Sequence, residues 1–209
     1  MDFDLLDVKN LVETFDRGPT GDPFCDGRFD DHFNEFGVQR HYWRMFWHLC
    51  REFKPEMAVE LGAWQATCAA HMASGGAGAV VTIDHHTDPG DDVHEALARE
   101  AAQAYMNLTY HKGWTTDEAT LELVRSFTRP VDLLFIDAWH HIDYARADWR
   151  AYEPLLADTA LVVCDDLANM EPTLHMMEEW WAEMSRDRES FSAGTAVSIM
   201  PMGFLKYVR

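Results

Sequence analysis

Short apolar runs alternate with amphipathic stretches along most of this chain, and the alternation limits the folds that it can adopt. Such runs are typical of strands buried on both faces, with helices covering them. The runs are 58–61, 79–84, 107–111, 131–137, 160–164 and 203–208. We predict that the last is an edge strand and that the residues beyond 185 form an antiparallel hairpin. The pattern predicts an α/β fold with a doubly wound, mostly parallel, Rossmann-like seven-stranded sheet and an antiparallel edge strand.

Amphipathic helices are predicted before the first strand and between the later ones. Each has apolar residues three or four positions apart, which places them on one helix face. The predicted buried faces are Val38, Tyr42, Met45, Leu49 and Cys50; Val93, Leu97, Ala101 and Ala104; Ile142, Ala145, Trp149 and Tyr152; and Leu174, Met177, Trp181 and Met184. The last helix is predicted to begin at Pro172, and 115–118 to open another as a capping box. Residues 1–37 are turn-rich and weakly periodic, so we predict an irregular segment there.

Composition excludes several classes of partner. The formal net charge is −19, from 36 Asp and Glu against 17 Lys and Arg, and such a surface repels nucleic acid and anionic membranes. No apolar run is long enough to span a bilayer, and the first residues lack the basic and apolar regions of a signal peptide. The four cysteines show no paired spacing, which indicates free thiols. We therefore predict a cytoplasmic protein without nucleic-acid or membrane partners.

Carboxylates follow two of the predicted strands. Asp137 ends one strand, and Asp165 and Asp166 come directly after another. The carboxyl ends of parallel strands meet at one edge of the sheet, where ligands of open α/β folds bind. Three acidic side chains close together suit a hard divalent cation, and His140, about one helical turn from Asp137, is a candidate base. The same aspartates could instead cap the following helices, with the histidine solvated on a loop.

A second group of candidate residues follows the first strand. Gly62, within the segment 60–68, lets the backbone approach a ligand closely at the start of a helix. A single glycine does not make the G-x-G-x-x-G motif of dinucleotide enzymes. Asp84 ends the second strand, where a carboxylate can bind both ribose hydroxyls. The following His85 and His86 are predicted at the surface, where either could also contact the bound ligand. The alternative is an ordinary strand-turn-helix corner with a terminal aspartate.

Glu60-Leu-Gly-Ala-Trp-Gln-Ala-Thr-Cys68 resembles the first motif of class I S-adenosylmethionine-dependent methyltransferases, especially the catechol O-methyltransferase type. Thr82-Ile-Asp84 resembles the acidic ribose motif of that class, and Gly113-Trp-Thr-Thr-Asp117 the segment beside the adenine. The order of motifs is also similar to that of macrocin-type O-methyltransferases and the cephalosporin-hydroxylase family. The resemblance runs from about residue 38 to 170 and implies a methyltransferase-like catalytic domain at 38–209. It does not cover 1–37, whose phenylalanines suggest a lid or an oligomer contact.

The resemblance also implies roles toward S-adenosylmethionine. The implied cofactor residues are Glu60, Gly62, Ala63, Trp64 and Cys68 on the methionine side, Asp84 on the ribose, and Trp114 and Thr115 beside the adenine. Ala66 stands where the family has its second glycine, and Thr67 where it has an aromatic residue. A methyl group at position 66 is expected to narrow the cofactor pocket.

A metal centre is implied by the same resemblance. Asp137 and Asp165 match the two metal-binding aspartates of the family, Asp166 matches an acidic residue of the macrocin type, and His140 matches its catalytic base. The implied cofactors are therefore S-adenosylmethionine and Mg²⁺ (or Mn²⁺). The implied activity is O-methylation of a small hydroxylated molecule such as a sugar, a glycoside or a phenol, by a chain that could form a homo-oligomer.

Two other functions stay open from the sequence. One is a catalytically silent module that binds S-adenosylmethionine and metal but transfers nothing. The other is a metallohydrolase that would use Asp137 and His140 together with His141 and Asp143. The candidate ligands are mostly oxygen atoms, whereas zinc hydrolases favour nitrogen ligands, so the hydrolase is the weaker alternative.

Overall fold

The computed structural model describes residues 1, 3–16, 18–28, 42–88, 90–167, 176–194 and 201–209. Its strands are β1 (Met57–Leu61), β2 (Ala79–Asp84), β3 (Leu108–Lys112), β4 (Val131–Ile136), β5 (Leu156–Cys164), β6 (Ser190–Ala193) and β7 (Met202–Val208). Its helices are α1 (Leu5–Thr14), α2 (Pro23–Arg28), α3 (Trp43–Phe53), α4 (Thr67–Gly75), α5 (Asp91–Ala104), α6 (Glu118–Ser126), α7 (Ile142–Tyr152) and α8 (Met176–Ser185). Of these helices, none is long and apolar enough to cross a membrane.

The strands form one sheet in the order β3-β2-β1-β4-β5-β7-β6. Strands β1 to β5 pair in parallel, and β7 is antiparallel to β5 and to β6. This arrangement confirms the predicted fold class. The strand order reverses between β1 and β4, because the chain first builds outward to β3 and then returns to the other side of β1. The carboxyl ends of β1 and β4 therefore flank the crevice where ligands bind in open sheets of this kind.

The edge position belongs to β6, although the sequence suggested residues 203–208. Those residues form most of β7, which pairs on both sides and is buried on both faces, through Phe204 on one and Leu205 on the other. β6 has four residues, of which Ala193 alone is buried, and such a short strand suits an edge. The predicted hairpin beyond residue 185 is confirmed by the β6–β7 pairing.

The sheet separates two apolar layers. Phe46 of α3 packs against Phe135 of β4 on one face, with their ring centroids 4.5 Å apart. On the other face, Leu134 and Val162 share a cluster with residues of α6, α7 and α8, among them the fully buried Trp180. Because neighbouring residues of a strand point to opposite faces, each central strand contributes to both layers.

The amino-terminal segment contains helices, contrary to the irregular structure predicted for 1–37. Asp4 caps α1 by accepting a hydrogen bond from the amide of Leu6 at 2.8 Å, and Val8 and Val12 are buried where α1 contacts α3 and β6. α2 follows at Pro23–Arg28. The described part of this segment therefore belongs to the core, while 29–41 lie outside the described residues. A lid or oligomer role for 1–37 stays a prediction.

Four of the predicted helix faces can be compared with the structure. The face of α7 is confirmed, and so is that of α3 except for Val38, which lies outside the described residues. In α5, Leu97 and Ala101 are buried, but Val93 is 56% exposed and Ala104 is exposed, so only the middle of this helix is buried. In α8 the fully buried aromatic residue is Trp180 and not Trp181; Pro172 and Leu174 lie outside the described residues.

The predicted capping box at 115–118 does not form. α6 begins at Glu118 with Asp117 as its N-cap, and no side chain provides the capping hydrogen bond. The hydroxyl of Thr115 instead donates to Asp148 of α7. A tertiary partner has therefore replaced the local one.

Candidate active site

A cavity of about 880 Å³ opens at the carboxyl ends of the parallel strands, where the strand order reverses. Nine of the twelve predicted catalytic, cofactor and metal residues line it: Gly62, Trp64, Asp84, Trp114, Thr115, Asp137, His140, Asp165 and Asp166. The structure thus brings the predicted metal-binding carboxylates and most of the predicted cofactor residues to one cavity. Tyr42, His85, Trp139, Tyr144 and Asp148 also line it.

Gly62 lies where the chain leaving β1 passes close to the chain leaving β4. Its φ is +93°, and a Cβ atom at this position would lie 2.1 Å from the carbonyl oxygen of Asp137. The amides of Gly62 and Ala63 both donate to the carbonyl of Ile83, at 2.9 and 3.0 Å, and the amide of Asp137 donates to that of Leu61 at 2.8 Å. Only glycine permits this approach, which gives a physical reason for the single glycine of the motif.

Three of the predicted cofactor residues lie behind the cavity wall. Glu60, Ala63 and Cys68 are buried and do not line the cavity. Glu60 accepts a hydrogen bond from the hydroxyl of Thr82, and burial raises its pKa well above the ordinary value, helped by the charge of Asp137. Burial also raises the pKa of the Cys68 thiol. Their assignment to the cofactor stays a prediction, and in this structure they support the wall.

Ala66, at the position of the missing glycine, adopts a left-handed conformation. Its φ is +57° as the N-cap of α4, and its side chain is fully buried without lining the cavity. Left-handed backbone favours glycine, so an alanine here is strained. The alanine that replaces the family's glycine is therefore strained in its backbone, and its methyl group does not line the cavity.

The turn after β1 is fixed by Asp84 and by a buried histidine. The carboxylate of Asp84 accepts hydrogen bonds from the amides of Trp64 at 2.8 Å and His86 at 3.2 Å. His86 is buried, with Nδ1 2.7 Å from the hydroxyl of Tyr110 and Nε2 2.8 Å from the carbonyl of Trp64. The surface position predicted for His86 was wrong. The neighbouring His85 lies in the cavity wall, 4.3 Å from Trp114 between ring centroids.

The three aspartates and His140 meet at one end of the cavity. His140 lies between two carboxylates, with Nε2 3.3 Å from Oδ1 of Asp137 and Nδ1 3.2 Å from Oδ2 of Asp166. Asp165 is 3% exposed, and its Oδ1 has no hydrogen-bond partner among the described residues. In the described part of the chain, no group of three His, Cys, Asp or Glu side chains is disposed to hold a metal ion as it stands. The ring of His140 separates Asp137 from Asp166 instead.

Burial and mutual repulsion set the charges of this cluster. Burial raises the pKa of Asp137 to about 6 and that of Asp165 well above its ordinary value. Burial alone would lower the pKa of His140, but the hydrogen bond and charge of Asp137, with the charge of Asp166, outweigh it and raise that pKa to about 9. His140 is therefore cationic at neutral pH, and the cluster contains one positive charge for three carboxyl groups.

His141 and Asp143, which the hydrolase alternative requires, lie outside this cluster. Nδ1 of His141 accepts the amide hydrogen bond of Asp143 at 3.3 Å and so caps α7. Neither residue lines the cavity. Trp139 does, and its ring stacks on that of Tyr144 at 4.8 Å. His141 and Asp143 therefore add no ligand to the cluster around His140, as the hydrolase alternative requires.

The order of the strands, the cavity where that order reverses and the acidic cluster are typical of α/β enzymes that bind nucleotides. Comparisons with known proteins assign the family. The family described as "Methyltransferase domain" matches residues 59–167, more than half of the 209 residues. The chain therefore belongs to this methyltransferase family, which confirms the resemblance drawn from its motifs. No curated protein sequence matches the chain.

Solved structures of methyltransferases share the fold at low sequence identity. The Podospora anserina methyltransferase PaMTH1 bound to S-adenosylhomocysteine is similar over 100% of this chain and 98% of its own, at 15% identity and a TM-score of 0.65. The O-methyltransferase TomG of Streptomyces achromogenes, in complex with S-adenosylmethionine, is similar over 85% of this chain and 86% of its own, at 16% identity and a TM-score of 0.64. The Bacillus cereus O-methyltransferase in complex with S-adenosylhomocysteine is similar over 79% of this chain and 80% of its own, at 13% identity and a TM-score of 0.60. At these identities the likeness establishes the fold.

Proposed function

We propose that this chain transfers the methyl group of S-adenosylmethionine to a hydroxyl of a small molecule. The observation that carries the proposal is the meeting of His140 with three carboxyl groups in the cavity at the switch point. The methyltransferase family and the printed ligands of its structural neighbours support the methyl donor. Asp84 and the turn at Gly62 would face the donor, and the acceptor hydroxyl would lie beside His140.

The chemistry of the acidic cluster fits a divalent cation. Asp137, Asp165 and Asp166 offer carboxylate oxygens, which Mg²⁺ and Mn²⁺ prefer, and the buried Oδ1 of Asp165 lacks a partner among the described residues. These three aspartates would hold the ion once His140 moves from between Asp137 and Asp166. When bound, the ion would supply positive charge that offsets the carboxylates and lowers the pKa of the acceptor hydroxyl.

His140 is the proposed base. The acceptor oxygen forms a bond to the methyl carbon while the carbon–sulfur bond breaks, and the hydroxyl proton passes to a nitrogen of His140. Only neutral imidazole can accept that proton, whereas the surrounding carboxylates hold His140 cationic at neutral pH. Positive charge bound at the carboxylates would therefore favour the neutral base.

Two experiments test this function. The first titrates S-adenosylhomocysteine calorimetrically into the protein with and without Mg²⁺; the absence of binding in both conditions would refute the proposed donor. The second measures transfer of a labelled methyl group to catechols, sugars and glycosides, with Mg²⁺, with Mn²⁺ and after chelation. Binding of the nucleotide without transfer to any acceptor would favour the catalytically silent module.

Conservative substitutions separate the roles in the acidic cluster. Asp165→Asn should abolish stimulation by Mg²⁺ while leaving S-adenosylhomocysteine affinity within a few-fold, because the donor and the ion are held by different residues. His140→Gln should lower the rate by about 10²–10⁴-fold, the usual contribution of a general base. Asp143→Asn is the matched control, since Asp143 is 76% exposed and outside the cavity. Equal effects of Asp143→Asn and Asp165→Asn would contradict the assigned cluster.

A further inference from the structure

The charged side chains of the cavity wall are almost all acidic. Six aspartates line the cavity: Asp84, Asp88, Asp137, Asp148, Asp165 and Asp166. Among the described residues, no lysine or arginine lines it, and its basic side chains are those of His85 and His140. The buried Oδ1 of Asp165 also lacks a hydrogen-bond partner within the described part of the chain, which indicates that a ligand completes this wall.

The two ligands of the proposed function do not balance this charge. S-adenosylmethionine has one net positive charge, because its sulfonium and ammonium groups outweigh its single carboxylate, and Mg²⁺ has two. Together they offset half of the six formal negative charges when His140 is neutral, as a base must be. The remaining field has the same sign as the net charge of −19 that surrounds it. A methyl acceptor therefore enters a cavity that is still negative.

An exposed aromatic pair lies beside the proposed base. Trp139 precedes His140 in the chain, and its ring stacks on that of Tyr144 with the two planes 10° apart. Both residues line the cavity, and they are 57% and 45% exposed. The faces of aromatic rings attract cations, and indole does so most strongly. A positive group on the acceptor would therefore meet a ring face as well as the field of the carboxylates.

We propose that the methyl acceptor carries a positive charge, such as an ammonium group, and that the cavity rejects acceptors that carry a carboxylate or a phosphate. This inference rests on the proposed function, in which the acceptor hydroxyl lies beside His140. The rings of Trp139 and Tyr144 alone would suit a neutral flat acceptor equally well. The six carboxylates decide the sign, because a second anion brought into a poorly hydrated site loses hydration and is repelled.

Two series of compounds vary the charge on a fixed scaffold. One comprises 4-(2-aminoethyl)catechol, 4-ethylcatechol and 3,4-dihydroxyphenylacetate. The other comprises methyl glucosides whose sixth carbon carries an ammonium, a hydroxyl or a carboxylate group. Each compound is titrated calorimetrically into the protein saturated with S-adenosylhomocysteine and Mg²⁺. Its methylation is then measured with labelled S-adenosylmethionine.

We expect affinity and kcat/KM to fall from the ammonium to the neutral to the carboxylate compound within a series. The ammonium compound should exceed its carboxylate counterpart at least about tenfold, since like charges brought together at a binding site oppose association strongly. Raising the salt concentration to about 0.5 M should narrow this ratio, because salt screens the field of the partly exposed carboxylates.

Two tryptophan variants test the position of the positive group. Trp139→Leu should weaken binding of the ammonium compound by about 2- to 30-fold, the range for a cation over an indole ring, and binding of the neutral compound by less. Trp47→Leu is the matched control, since Trp47 is a half-buried residue of α3 outside the cavity, and it should change neither. Equal losses for both compounds in Trp139→Leu would overturn the placement of the cation beside that ring.

A carboxylate compound that binds as tightly as its ammonium counterpart overturns the inference, and so does failure of both ammonium compounds to bind. Ranked binding without methyl transfer to any compound counts against the proposed function and not against the charge selectivity of the cavity. A folded wild type that does not bind S-adenosylhomocysteine overturns the proposed function itself.

Discussion

Asp148→Asn should stabilise the ligand-free protein in a pH-dependent manner. Burial raises the pKa of Asp148 from its ordinary 3.8 to about 6. The two values differ by about 2.2, and each pKa unit corresponds to about 1.36 kcal/mol, so the ionised group costs about 3 kcal/mol of folding free energy. Because the folded pKa lies above the unfolded one, the unfolded state loses its proton first, and stability falls as pH rises from about 4 to 6. Above pH 6 the whole penalty is present.

Urea unfolding of the wild type and Asp148→Asn at two pH values measures this penalty. From the two pKa values, we expect a contribution of about 1.5 kcal/mol at pH 5 and about 3 kcal/mol at pH 7.5. The difference in unfolding free energy between variant and wild type should therefore widen by roughly 1–1.5 kcal/mol between these conditions. Any fixed penalty for burying an amide shifts both values equally and cancels. A difference that does not change with pH would refute the assigned burial of charge at Asp148.

Three further outcomes follow from backbone geometry and burial. In urea unfolding, Gly62→Ala should lower the free energy of unfolding by at least about 3 kcal/mol, because a left-handed backbone strains alanine and its Cβ atom clashes with Asp137. The control is Gly76→Ala, at φ +104° in open space, which should show the effect of the strain alone. Burial lowers the pKa of His71 from 6.5 to about 4, so the wild type should lose about 2 kcal/mol more than His71→Gln between pH 7 and 5, since only the unfolded imidazole gains a proton there; parallel pH curves would contradict this. Ala66→Gly should leave S-adenosylhomocysteine affinity within about twofold by calorimetry, because the alanine methyl does not line the cavity; a large gain would show that it narrows the site.

The parallel strands were predictable because their chemistry is local. Each is a continuous apolar run, and β2 has the predicted bounds, Ala79–Asp84. The errors arise where tertiary contacts decide. α1 has apolar residues at Leu5, Val8 and Val12 with helical spacing, a signal that the surrounding turn residues obscured. The inner position of β7 depends on its pairing with the short strand β6, which no local pattern reveals.

The candidate site divides in the same way. Carboxylates at strand ends can be placed from sequence alone, because parallel strands bring their carboxyl ends to one edge. The position of Asp148 could not be predicted in this way. In the sequence it is one of several polar residues of its helix, and its partner Thr115 is 33 positions away. His86 was likewise misplaced, because its burial depends on Tyr110, 24 residues further along. Residues that act through distant partners therefore require the structure.

An excess of buried acid is the feature that connects stability with function in this chain. Burial raises the pKa of Glu60, Asp137, Asp148 and Asp165. The cationic His140 offsets the charge of Asp137 and Asp165, the two of them that lie near it. Such carboxyl groups destabilise the empty protein, so a ligand that brings positive charge or N–H donors should bind and stabilise it together. A sulfonium, a divalent ion and an amino-purine each have that property. We therefore expect the thermal stabilisation by S-adenosylmethionine to exceed that by a neutral analogue of equal size.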